Sequence, residues 1–101
     1  MRTAYVYIMS NKAHRLYVGA TIDLVRRVCQ HMEKTYPSSF TARYNYDRLV
    51  YFEPADSFKL AKARERYLKG LNRAKKVALI QRDNPNWLDL SVQFDDLLMA
   101  R

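Results

Sequence analysis

The apolar positions along the chain change period several times, and each change marks an element. Ala4-Tyr5-Val6-Tyr7-Ile8-Met9 is a run of β-forming residues, Ser10 to Arg15 is polar and turn-like, and Leu16-Tyr17-Val18-Gly19 is apolar again, so a β-hairpin is the economical reading. Thr21 or Asp23 can cap a helix running to about Lys34, with Val25, Val28, Cys29 and Met32 at helical spacing on its inner side. Pro37-Ser38-Ser39 breaks that helix. Arg48-Leu49-Val50-Tyr51-Phe52-Glu53 reads as a third strand ended by Pro54. Asp56 or Ser57 then caps a second helix with Gly70 as its stop, and Asn72 caps a third from Arg73 to about Arg82. Asn84-Pro85-Asn86-Trp87 interrupts, and a short helix from Ser91 to about Ala100 follows. The order ββαβααα predicts an α+β fold in which helices cover a small sheet.

Composition adds exclusions. At 49% hydrophobic and 28% charged, the 101 residues are globular rather than disordered, and no linker or repeat divides them. Cys29 is the one cysteine, which rules out an intramolecular disulfide and a cysteine-rich zinc site. The first ten residues hold too short an apolar run for a signal peptide or a membrane span, so a reduced, cytoplasmic protein is expected. Charge is uneven. Residues 1–82 carry 17 Lys and Arg against 6 Asp and Glu, whereas 83–101 carry Asp83, Asp89, Asp95 and Asp96 against Arg101 alone. A basic body attracts a polyanion, because cations near phosphates release condensed counterions. Solubility alone is the plainer explanation of the same excess. No helix sets a Trp/Phe face against a Lys/Arg face, so a membrane is not the expected partner.

Three groupings carry candidate chemistry. Alternation places Tyr5, Tyr7 and Met9 on one face of the first strand, and Tyr17 and Gly19 on one face of the second. A register pairing Tyr7 with Tyr17 would bring two phenols to one spot, with cross-strand packing as the alternative. Arg27 and His31 are four residues apart on the first helix, on the side opposite its apolar positions, where Arg27 could grip a phosphate. Glu65 is the lone acid between Lys59, Lys62, Arg64, Arg66 and Lys69; it could ligate a hard cation or simply pair with Lys69.

In order and spacing these residues resemble the GIY-YIG nuclease superfamily over nearly the whole chain, to about residue 90. Tyr5-Val6-Tyr7 and Tyr17-Val18-Gly19 look like its two tyrosine motifs, and the run from Tyr17 through Arg26-Arg27 to His31 looks like its following helix. Phe40-Thr41-Ala42-Arg43-Tyr44-Asn45, Leu49-Val50-Tyr51-Phe52-Glu53, Ala63-Arg64-Glu65 and Asn84-Pro85-Asn86-Trp87-Leu88-Asp89-Leu90 are similar to its small stand-alone bacterial branch. Departures are Tyr5 for the first glycine, Val6 and Val18 for isoleucines, and Ala20 where some relatives carry lysine.

The resemblance implies a three-stranded antiparallel sheet flanked by helices, with residues 1–90 as the nuclease domain and 91–101 as its acidic, helical tail. It implies hydrolysis of DNA phosphodiesters with Mg²⁺ or Mn²⁺, without a separate sequence-recognition domain. Matched position by position, Tyr7 is the general base, Tyr17 orients water or phosphate, and Arg27 stabilises the transition state. Glu65 is the metal ligand, and His31 is an auxiliary catalytic group. Arg26, Arg43, Lys62, Lys69 and Asn84 are the expected nucleic-acid contacts. A free tyrosine titrates near 10, so the base role is expected to draw on positive surroundings that favour phenolate. Two other functions stay open: a non-catalytic nucleic-acid-binding module on the same fold, and a docking domain using Trp87 and the acidic tail.

Overall fold

The computed structural model describes residues 3–94. Its sheet contains β1 (Ala4–Ser10), β2 (Leu16–Thr21) and β3 (Arg48–Ala55), antiparallel in the order β2-β1-β3. The helices are α1 (Leu24–Met32), the one-turn α2 (Phe40–Arg43), α3 (Phe58–Gly70) and α4 (Arg73–Asp83), followed by a 3₁₀ turn at Leu90–Gln93. The α+β class and the helix-flanked antiparallel sheet are as the sequence led us to expect. Residues 95–101, most of the expected C-terminal helix, lie outside the described residues.

Strict alternation along β1 builds two cores. Ala4, Val6 and Ile8 face α3 and α4 and pack with Val18, Val50, Ala61, Leu68 and Ile80. Tyr7 and Met9 point the other way, onto Leu24 and Val28 of α1 and onto Tyr46, Leu49 and Phe94. The sheet is therefore a middle layer, with helices on both faces. Between Ile8 and Met9 the β1–β3 register slips, since Ile8 faces Tyr51 while Met9 faces Leu49. Val50 is the extra residue of that bulge, which turns both Val50 and Tyr51 to the first core and Leu49 to the second.

Several boundaries differ from expectation for local reasons. β3 continues through Pro54 to Ala55; it is an edge strand, where a residue without an N–H is tolerated. Gly70 is the last residue of α3 and has no left-handed backbone. Asp23, Ser57 and Asn72 are the caps, each accepting a backbone N–H three residues on. The sequence reading missed α2, which starts at the Ser39 cap just after Pro37.

The β1–β2 loop is held from two sides. Buried Asn11 accepts the N–H groups of Ala13 and Arg15, each at 3.0 Å, and donates to the Tyr44 carbonyl. His14 stacks on Trp87 with ring centroids 4.2 Å apart. Both stacked residues have positive φ, 57° and 54°, a conformation that the stack and the surrounding packing must stabilise.

Candidate active site

Tyr7 lies on the central strand, opposite Gly19 on one side and Phe52 on the other. A Cβ on Gly19 would collide with Cζ and the hydroxyl of Tyr7, so the phenol can lie across β2 only because Gly19 has no side chain. This corrects the register: Tyr17 faces Met9, not Tyr7, and the two tyrosines are diagonal neighbours on one face. Tyr5, at the family's glycine position, is half-buried and packs edge-on against Phe52.

The two phenols still meet, through His31. Its ring lies 5.7 Å from the Tyr7 ring and 5.5 Å from the Tyr17 ring, centroid to centroid. Nε2 is 2.8 Å from the Tyr7 hydroxyl, and Nδ1 is 2.9 Å from Oγ1 of Thr41. His31 was expected on the solvent side of its helix, yet it is only 3% exposed. The buried positions of α1 are Leu24, Val28 and His31, a stripe one step round from the one read off the sequence, and Met32 is exposed instead. A tyrosine hydroxyl on the sheet and a threonine on α2 satisfy both ring nitrogens, which makes that burial tolerable.

Burial, reinforced by the Arg27 charge, pushes the His31 imidazole down to about 4, so the ring is neutral at pH 7. Burial also raises the Tyr7 phenol far above its ordinary value. Tyr17 adds to that shift and Arg27 opposes it, while Glu65 adds a weaker push upward. The expectation that positive surroundings favour a Tyr7 phenolate is thus reversed, because desolvation outweighs the guanidinium.

Arg27 is half-buried, bonded to Oε1 of Gln30 at 3.2 Å and set over the Tyr36 ring. With Arg26, Thr21, Ile22, Asp23 and Gln30 it lines an open cavity of about 470 Å³. Arg43, an expected nucleic-acid contact, is exposed over Tyr44, which packs on Phe40; the two aromatic residues beside it were not assigned from the sequence.

Glu65 lies on the inner stripe of α3 with Ala61 and Leu68 and is 7% exposed. Lys62 and Lys69 both approach its Oε1, at 2.8 and 3.6 Å, so these two expected phosphate contacts are drawn to the carboxylate. Asn84 belongs to a different part of the fold. It is 4% exposed, and its amide bonds the carbonyls of Val50 and Leu88 and the Leu88 N–H, so its polar groups are engaged by the backbone rather than turned toward the cleft.

Among the described residues, no three His, Cys, Asp or Glu side chains form a ready-made ion cage. No buried side-chain oxygen among them is orphaned, and Oε2 of Glu65 makes no hydrogen bond among the described residues. One open carboxylate oxygen suits a magnesium-type cation that keeps its waters and takes its other oxygens from a substrate phosphate. Glu65 would hold such an ion, with Lys62 and Lys69 competing for the same carboxylate.

Thr41 is the site residue the sequence reading missed. It falls inside the Phe40-to-Asn45 phrase, but nothing in its spacing points at His31 until α2 is folded.

Comparison with known proteins gives the family and the fold. The family model described as the GIY-YIG catalytic domain matches residues 3–78. The chain is 31% identical to a UPF0213 protein of Syntrophus aciditrophicus, over 82% of this chain and 95% of that one. It is 38% identical to a UPF0213 protein of Clostridium perfringens, over 75% and 81% respectively. The solution NMR structure of a UPF0213 protein from Bacillus halodurans superposes with a TM-score of 0.55 at 29% identity, covering 86% of this chain and 92% of that one.

Proposed function

Because the chain belongs to the GIY-YIG nuclease family, we propose that it is a divalent-metal-dependent endonuclease hydrolysing DNA phosphodiesters, with residues 1–90 as the catalytic unit. The observation that carries this reading is the convergence of Tyr7 and Tyr17 on one buried, neutral imidazole, with Arg27 and Glu65 near enough to act on Tyr7 electrostatically.

A phosphodiester repels nucleophiles, so attack by water needs positive charge at the phosphate and an acceptor for the water's proton. Arg27 supplies the first through its planar fork of donors. For the second, a free phenolate at Tyr7 is costly, but a relay avoids it. As water gives a proton to the Tyr7 oxygen, the Tyr7 proton passes to Nε2 of His31. That direction requires Nδ1–H to donate to Thr41, which holds the tautomer. Substrate phosphate on Arg27 offsets one of the two effects that depress His31, so substrate binding itself improves the acceptor. Tyr17, whose ring meets His31 edge to face, orients the water or the phosphate. Glu65 would hold a divalent cation, which would supply Lewis-acid stabilisation of the developing charge.

The test is cleavage of duplex, branched and single-stranded DNA by purified protein with Mg²⁺ or Mn²⁺. Tyr7→Phe should slow single-turnover cleavage by about 10²–10⁴ while leaving binding intact. Intact substrates throughout, or full activity in both Tyr7→Phe and Glu65→Ala, would refute the proposal. One observation favours the non-catalytic alternative: Lys62 and Lys69 already neutralise the Glu65 carboxylate. On that reading, salt-sensitive binding persists in Glu65→Ala and nothing is cut.

A further inference from the structure

A second basic concavity lies beside the start of β2. Arg15, Leu16, Tyr46, Arg73 and Lys76 line a recess of about 280 Å³. We infer that it holds a second backbone phosphate of the strand whose scissile phosphate occupies the cleft, an inference that rests on the nuclease reading above.

Four observations carry it. First, the fold brings together cations from two distant segments, the β1–β2 loop and the first turn of α4. Second, Arg15, Arg73 and Lys76 have no carboxylate partner among the described residues, whereas Lys62, Arg64, Lys69 and Arg82 all do. Third, the first turn of α4 carries Arg73, Lys75 and Lys76 and no acid, the reverse of what a helix dipole favours; an anion in the recess would relieve both that and the mutual repulsion. Fourth, the recess is built and connected. Asn11 accepts the Arg15 N–H at 3.0 Å, fixing the backbone from which the guanidinium projects. Tyr46 packs on Tyr17 at 6.1 Å and Tyr17 on His31 at 5.5 Å, so the recess wall lies within about 12 Å of the catalytic ring, a short stretch of the same DNA strand away. Two guanidiniums and an ammonium around a small open hollow match the oxygens of a phosphate.

The experiment compares wild type with the triple variant Arg15→Gln, Arg73→Gln, Lys76→Gln, and with Arg15→Gln alone. Binding of fluorescent oligonucleotides of three and ten nucleotides is followed across a salt series without divalent ions. Loss of one phosphate contact lowers the slope of log affinity against log salt by about 0.7–0.9. The triple variant should show that loss with the ten-mer and none with the three-mer, which is too short to reach both sites. Arg15→Gln should show part of it. Arg82→Gln, whose charge faces Asp83, should keep the wild-type slope, and matching thermal melts exclude misfolding. An unchanged ten-mer slope in the triple variant overturns the inference while leaving the nuclease reading intact. An equal loss with the three-mer overturns it too, as does inorganic phosphate alone binding as tightly as the ten-mer, which would mark a free-phosphate site. Wild type that neither binds nor cuts any oligonucleotide sinks both readings together.

Discussion

The Tyr7 hydroxyl and Nε2 of His31 lie 2.8 Å apart although 24 residues separate them in sequence. The contact joins the central strand to the helix above it, and burial between them gives each group its unusual titration. Both groups are neutral in the free protein, so the pair is a neutral hydrogen bond rather than a preformed ion pair.

Gly19 is expected to be intolerant of even one methyl group. Gly19→Ala pushes a Cβ into the Tyr7 ring, at a cost of about 1–3 kcal/mol, the usual range for overpacking. Urea midpoints for Gly19→Ala, Tyr7→Ala and the double variant form a cycle whose coupling should be favourable, since removing the ring removes the clash. Additive effects would show that Gly19 matters for another reason.

His31 makes stability pH-dependent in a defined window. The unfolded chain takes up its proton near 6.5 and the folded chain only near 4, so between those values the unfolded state binds more protons. Stability should fall as pH drops from 6.5 to 4, by about 3 kcal/mol from this group, and the loss should level off below. Denaturation at pH 7 and pH 4.5 should show His31→Gln losing less stability on acidification than wild type. Equal losses would remove His31 as the cause.

Glu65→Gln separates binding from turnover. Removing a carboxylate beside Lys62 and Lys69 leaves both ammoniums uncompensated, so DNA affinity at low salt should stay level or rise. Cleavage should fall by about 10²–10³, as for loss of an electrostatic element of a transition-state site. Anisotropy and single-turnover assays on the same preparation would reveal any parallel loss of both, which would contradict this division of labour.

Asn84→Ala tests the structural role of a residue first read as a nucleic-acid contact. It removes hydrogen bonds to Val50 and Leu88 and strands buried backbone groups, so a loss of about 2–4 kcal/mol is expected in thermal or urea denaturation. The salt dependence of DNA binding should not change. A reduced slope with normal stability would restore the original reading.

The chain's own patterns determined the three strands, the helix-flanked sheet, the cap at Asn72, the choice of two residues for each of the caps that proved to be Asp23 and Ser57, and the residue types of the site. These follow from alternation, helical spacing and short-range hydrogen bonds, all of which act between near neighbours. Glu65 was also more legible than its basic surroundings suggested, because it shares an i, i+4, i+7 stripe with Ala61 and Leu68, and a lone acid on a buried stripe calls for a partner. Tertiary structure alone decided that Tyr7 faces Gly19 rather than Tyr17, that His31 turns inward, and that Thr41 completes its hydrogen bonding. Register depends on where the hairpin loop closes, and the inward face of α1 depends on what the sheet presents to it. Burial then set the charge states, because desolvation is a property of the packed surroundings and has no counterpart in the order of the residues.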